Sequence, residues 1–174
     1  CAAPGGKSTL IASFLGENDL LVSNEVIRTR ATILEENMTR WGYINTWVVS
    51  NDPKDIGRLE SYFDVVVIDA PCSGSGLFRK DARALDEWSE GNVLLCSQRQ
   101  QRILADVWPS LKEDGIVIYA TCSYSPQEDE EILDWLSDNF DVAGLPVQLK
   151  EDWGVVETIS KKGLHGYRFS PDKV

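Results

Sequence analysis

The sequence predicts a doubly wound α/β fold, and three observations carry that expectation. Apolar runs of strand length, Leu20-Leu21-Val22-Ser23, Thr46-Trp47-Val48-Val49-Ser50, Phe63 to Ile68 and Ile116 to Ala120, alternate with helical patterns. The run Phe63-Asp64-Val65-Val66-Val67-Ile68 is apolar at nearly every position, as in parallel strands covered on both faces. Loops rich in Gly, Pro and Ser stand where strands should give way to helices. Strands joined through helices run parallel, with right-handed crossovers.

The chain opens on Cys1-Ala2-Ala3-Pro4-Gly5-Gly6-Lys7, a turn that should leave a strand and enter a helix. No strand precedes it, and the chain stops at Pro171-Asp172-Lys173-Val174 just after another has begun. The sheet is therefore expected to lack a central strand, and the sequence to be a piece truncated at both ends. After the strand at Leu20–Ser23, Val26, Ile27, Ile33, Leu34 and Met38 trace a helix. Ser97 to Leu111 is a second helix, with Ile103, Leu104 and Val107 on one face and Pro109 bending its last turn. Gly115 releases the chain into Ile116–Ala120. Pro126 suits a first helical position, so a helix should run from there to Asn139. Val155–Ile159 and Tyr167–Phe169 predict an antiparallel C-terminal strand pair on an otherwise mostly parallel sheet.

Length and composition narrow the function. With 174 residues, 43% of them hydrophobic, the chain is expected to form a single domain with one sizeable core. Its apolar runs fall short of the roughly 20 residues that cross a bilayer, and it opens on no leader, so a cytoplasmic protein without membrane contact is expected. The net charge of -11 argues against nucleic acid on average, yet a local basic site is compatible with an acidic body. Much of the acid lies late, around Gln127-Glu128-Asp129-Glu130-Glu131, which reads as a solvated helix face. Cys1, Cys72, Cys96 and Cys122 are far apart and His165 stands alone, so no metal is expected. Each cysteine is by default a small buried hydrophobe, and a chemical role must come from its surroundings.

Those surroundings are informative at several strand ends. Ala3-Pro4-Gly5-Gly6-Lys7-Ser8-Thr9 ends like a phosphate-binding loop, but Cys1 stands where that motif needs its first Gly. What remains is a strand-to-helix turn open to a ligand, with helix amides for an anion, or simply a tight turn. Glu25 follows it by about the spacing at which an acid binds ribose hydroxyls in doubly wound folds, and Asp52 ends the next strand. Either acid alone reads equally as a helix cap; together they favour a nucleoside ligand. Asp69-Ala70-Pro71-Cys72-Ser73-Gly74-Ser75-Gly76 and Thr121-Cys122-Ser123-Tyr124-Ser125-Pro126 each place a Cys just past a buried strand, where open α/β sheets hold ligands. Arg79 and Lys80 follow Phe78 and suit RNA phosphate, or a solvated loop. Trp41 and Trp88 are expected in the core rather than stacked on bases.

Ala-Ala-Pro-Gly-Gly-Lys, Asp-Ala-Pro-Cys-Ser-Gly-Ser-Gly and Thr-Cys-Ser, in this order, resemble the Nop/Sun family of RNA cytosine-5 methyltransferases, nearest its bacterial small-subunit ribosomal RNA methyltransferase F type. The resemblance runs from Cys1 to Lys173. It implies a Rossmann-like methyltransferase domain binding S-adenosylmethionine through Cys1, Ala2, Ala3, Pro4, Gly5, Gly6, Lys7, Glu25, Asp52 and Asp69. It implies Cys122 as nucleophile, Cys72 as the helper in product release, and Asp69 at the ring edge of the base. Family loops usually continue Lys-Thr, whereas Lys7-Ser8-Thr9 stands here and keeps a hydroxyl. The family's RNA-binding parts are not in this sequence. A helix start near Pro126 is the expected source of a lowered Cys122 pKa. The expected partner is RNA, ribosomal RNA foremost and transfer RNA as the alternative, with the protein acting as a monomer. A non-catalytic RNA-binding assembly factor and a nucleotide hydrolase are the rival readings.

Overall fold

The computed structural model describes residues 1–81 and 83–170, so the final Pro171-Asp172-Lys173-Val174 segment lies outside the described residues. The elements are α1 (Gly6–Ala12), β1 (Leu21–Asn24), α2 (Arg28–Trp41), β2 (Thr46–Val49), α3 (Pro53–Ile56), β3 (Phe63–Asp69), α4 (Arg83–Glu87), α5 (Glu90–Val107), β4 (Leu111–Ala120), α6 (Glu130–Asn139), β5 (Val156–Ile159) and β6 (His165–Arg168). They divide into two compact units, Cys1–Ala70 with Ile103–Ala120, and Pro71–Arg102 with Thr121–Val174.

In the first unit β1 pairs in parallel with β2, from Leu21 against Thr46 to Asn24 against Val49. The joining helix α2 buries Ala31, Leu34 and Met38; Leu34 and Met38 belong to the expected apolar pattern, whereas Ile33 is half exposed and Val26 and Ile27 precede the helix. Gly42 ends it in the left-handed region at φ 83° and returns its amide to the Met38 carbonyl. Ala3, Ala12, Leu34 and Met38 form a core on which Ala2, Leu21 and Val48 also pack. The opening loop is therefore built into that core.

The pair β3–β4 is also parallel, from Val65 against Ile116 to Asp69 against Ala120. Its register shifts between Phe63 and Val65, and opposite this irregularity Asp114 takes φ 59°. Gly115 thus lies within β4 rather than ahead of it. The expected cover on both faces is not found: Val65 is 47% and Ile118 50% exposed. β3 bonds to β4 alone among the described residues.

In the second unit α5 starts at Glu90 rather than Ser97, because Ser89 Oγ accepts the Asn92 amide as a cap. Val93, Cys96, Ser97 and Gln100 form its buried face. As expected, Pro109 ends the helical run in a 3-10 turn, Trp108–Ser110. The expected helix at Pro126 is corrected: Pro126–Glu128 is a 3-10 turn, and α6 begins only at Glu130. Asp129 breaks the run at φ -122°, ψ -93°. β5 and β6 form the expected antiparallel pair, from Val156 against Arg168 to Ile159 against His165.

Candidate active site

The opening loop is fixed from several sides. Gly5 takes φ 114°, and a Cβ there would stand 3.0 Å from Leu34 Cδ1. At Gly6 a Cβ would meet nothing within 4 Å among the described residues. The Ala2 amide donates to the Asn24 carbonyl at 3.0 Å, and the Ala3 amide to Glu25 Oε2 at 3.3 Å. From α2, Arg30 Nη2 donates to the Ala3 carbonyl and Asn37 Nδ2 to the Pro4 carbonyl, each at 2.8 Å. Ser8, in the position that departs from the family pattern, is buried and accepts from Ser23 Oγ at 3.0 Å.

The predicted acids of this unit have distinct settings. Glu25 is 1% exposed; besides Ala3 it accepts the Ile27 amide at 3.2 Å, with Arg30 Nη1 at 3.7 Å. It therefore holds the loop in place. Asp52 caps α3, accepting the Lys54 amide at 3.0 Å. Asp69 ends β3 and pairs with Lys7 Nζ at 2.9 Å, tying the loop to that strand.

In the second unit the two loop cysteines meet. Cys72 Sγ and Cys122 Sγ are 3.0 Å apart, within sulfur hydrogen-bond range. The hydrogen bond to Cys122, then burial, push the Cys72 thiol far above its ordinary range, so Cys72 keeps its proton. Gly76 permits the approach: its amide donates to the Cys122 carbonyl at 2.7 Å, and a Cβ on it would fall 2.2 Å from that oxygen.

The acidic run is only partly solvated: Gln127 and Glu131 are exposed, whereas Glu128 is buried and Asp129 and Glu130 are half-buried. Glu128 is 0% exposed and accepts from Ser73 N at 2.9 Å, Ser73 Oγ at 2.5 Å, Gln100 Nε2 at 3.0 Å and Ser123 Oγ at 2.6 Å. Gln100 Nε2 also donates to the Pro71 carbonyl at 2.9 Å. Thr121 Oγ1 donates to Asp129 Oδ1 at 2.8 Å and accepts the Ser123 amide at 3.0 Å. Turning both acids inward is what breaks the helical run at Asp129. The N-terminus of α6 consequently lies beyond Asp129 with acids in its first turn, and the expected helix source for a lowered Cys122 pKa is withdrawn. One signal pointed to Glu128: it shares an i, i+4, i+8 face with the buried Ile132 and Leu136. Arg168 of β6 joins the same network, donating to Glu130 at 2.9 and 2.5 Å and to the Tyr124 carbonyl at 3.0 Å.

Burial pushes the Asp129 carboxyl up to about 6, against the opposing pull of Thr121 and Arg168. The folded state thus holds this proton more tightly than the unfolded chain, whose carboxyl titrates near 3.8. Its stabilisation is full below that value and is lost as pH rises through about 6. Asp129→Asn lacks this titration, so its stability relative to wild type should rise between pH ~4 and ~6. Urea unfolding across that range checks this, and a flat difference would refute it.

Arg79 and Lys80 are exposed on a turn that follows the 3-10 helix Ser75–Leu77. Phe78 meets Trp88 edge to face at 6.4 Å. The core reading of the tryptophans is corrected: Trp41 is 57% and Trp88 37% exposed, because each stands at or near a helix end. Among the described residues no helix is long and apolar enough to cross a membrane.

A family model described as 16S rRNA methyltransferase RsmB/F matches residues 1–171. The tRNA (cytosine(49)-C(5))-methyltransferase of Pyrococcus abyssi is 36% identical over 163 residues, 92% of this chain and 52% of that protein. The ribosomal RNA small subunit methyltransferase F of Psychromonas ingrahamii is 38% identical over 140 residues, 80% of this chain and 29% of that protein. A solved methyltransferase homolog protein from Pyrococcus horikoshii matches with a TM-score of 0.69 at 32% identity, over 87% of this chain and 47% of its own. The chain thus spans about half or less of the length of these relatives. The match over nearly every residue, on a Rossmann-like fold, places the chain in the 16S rRNA methyltransferase RsmB/F family.

Proposed function

We propose that this chain carries the catalytic domain of an S-adenosylmethionine-dependent RNA cytosine-5 methyltransferase, acting on ribosomal RNA through a covalent cysteine adduct. The observation that carries the reading is the Cys72–Cys122 pair at 3.0 Å, in a family of RNA methyltransferases. The protein would act as a monomer in the cytoplasm. Transfer RNA is the second reading, favoured by the Pyrococcus abyssi relative.

The first unit suits the cofactor. Glu25 and Asp52 stand just past the ends of the paired parallel strands β1 and β2, where open α/β sheets bind nucleosides. Cys1, Ala2, Ala3, Pro4, Gly5, Gly6 and Lys7 would cradle the cofactor, with the open space at Gly6 admitting it to the backbone. Glu25, buried and committed to the Ala3 and Ile27 amides, would serve the cofactor by holding the loop that cradles it. Bound S-adenosylmethionine supplies an electrophilic methyl group. Gly6→Ala tests the cradle: the added methyl has room in the protein and favours α1, so thermal stability should hold or rise. Cofactor affinity should nevertheless fall about tenfold, by crowding the ligand. Calorimetric titration measures it, and unchanged affinity would move the cofactor away from Gly6.

Carbon 5 of cytosine is a poor nucleophile. Bonding of the Cys122 sulfur to carbon 6 makes the ring an enamine, and electron density reaches carbon 5. Cys72, holding its proton beside Cys122, supplies a hydrogen bond whenever that sulfur carries charge, before attack and again on departure. Asp69, anchored by Lys7, would accept from the N–H that ring nitrogen 3 gains as carbon 6 is attacked. After methylation a base or solvent water takes the carbon 5 proton, the C–H pair becomes the carbon 5–carbon 6 double bond, and Cys122 leaves as a thiolate, which restores the aromatic base. Arg79 and Lys80 would contact phosphate of the unstacked strand. Transfer of labelled methyl to RNA by the purified protein, with bisulfite mapping of the product, tests the whole. RNA binding without transfer would favour an assembly factor, and ATP binding without S-adenosylmethionine binding a nucleotide hydrolase.

A further inference from the structure

We infer that Glu128 and Asp129 act as a two-pronged clamp on the Cys122 loop, and that this clamp holds the Cys122 sulfur within reach of Cys72. The inference rests on the cysteine chemistry proposed above and names the residues that position it. Each prong is a short relay of the same form. The Ser125 amide donates to Ser123 Oγ at 3.1 Å, and that hydroxyl donates to Glu128 Oε2 at 2.6 Å. The Ser123 amide donates to Thr121 Oγ1 at 3.0 Å, and that hydroxyl donates to Asp129 Oδ1 at 2.8 Å. The residues on both sides of Cys122 are thus gripped by adjacent acids.

A carboxylate only accepts, so it fixes the direction of every hydroxyl that points at it. Hydrogen bonds ending on a charged acceptor are also shorter and stronger than neutral ones. Glu128 grips the other loop as well, through both the amide and the hydroxyl of Ser73, the residue after Cys72. One buried carboxylate therefore sets the spacing between the loops that bear the two sulfurs. Arg168 closes the arrangement, lying 3.5 Å from Asp129 and donating to the Tyr124 carbonyl. Glu128 and Asp129 are positioning residues; they act through Ser73, Ser123 and Thr121.

The test uses the sulfurs as a ruler. Diamide takes two electrons and two protons from a pair of nearby thiols, forming a disulfide and a hydrazine. Wild-type protein should form the Cys72–Cys122 disulfide readily, identified by peptide mass mapping. Glu128→Ala should slow it about tenfold or more, as expected when a pair is displaced by about an ångström. Removing Glu128 also strands buried donors, so Ser123→Ala and Thr121→Val, each deleting one link, carry the same test in more conservative form. Both should slow the disulfide, lower kcat for methyl transfer and leave the cofactor Kd unmoved. An unchanged rate in any folded variant, or no disulfide in wild type, overturns the clamp. Disulfide formation needs neither RNA nor cofactor, so absence of methyl transfer in wild type would sink the proposed activity and leave this result intact.

Discussion

Replacing Cys122 by alanine should abolish methyl transfer, lowering turnover by about 10^4-fold or more, as losing an attacking nucleophile does. No other route to an electron-rich carbon 5 runs through the side chains around Cys122. The hydroxyls of Ser123, Ser73 and Thr121 are committed to Glu128 and Asp129, and the Cys72 thiol is held in its protonated form. Cofactor binding should persist, since the opening loop is fixed by Glu25, Arg30 and Asn37 within the first unit. A labelled-methyl assay beside a cofactor titration separates the two effects. Activity surviving the change would refute Cys122 as the nucleophile.

Cys72→Ala should have the opposite signature, a protein trapped on its RNA. The first half of the reaction needs a sulfur on carbon 6, which Cys122 still supplies. The second half expels that sulfur as an anion, and the variant has lost the adjacent S–H that would hydrogen-bond it. Once carbon 5 is methylated, simple reversal is closed, so the adduct should accumulate. The readout is a protein–RNA species that survives denaturing electrophoresis and requires both cofactor and Cys122. Its absence from a folded Cys72→Ala protein would refute the division of labour between the cysteines.

Much of this was legible in the sequence because it rests on local pattern. Strand-length apolar runs and helical spacing marked β1 to β4 and α2, and the two Cys-Ser dipeptides past β3 and β4 marked the loops whose sulfurs meet. The rest depended on contacts that no local pattern encodes. Composition alone makes the run around Glu128 look solvated, because its partners Ser73 and Gln100 lie far off in sequence. The helix expected at Pro126 does not form for a related reason: inward hydrogen bonds of Glu128 and Asp129 outweigh helix continuation. Exposure of Val65 and Ile118 was hidden too, since an apolar strand sequence does not say what covers it.

The contact at Gly76 bears on engineering. Its amide touches the Cys122 carbonyl, and any side chain there would have to push that peptide aside. The segments Pro71–Gly76 and Thr121–Asp129 therefore interlock as key and ward. Grafting the cysteine pair onto another scaffold would need both segments transplanted together, with glycine kept at position 76. A designer who moved only the two thiols would carry over the reagents and leave behind the jig that aligns them.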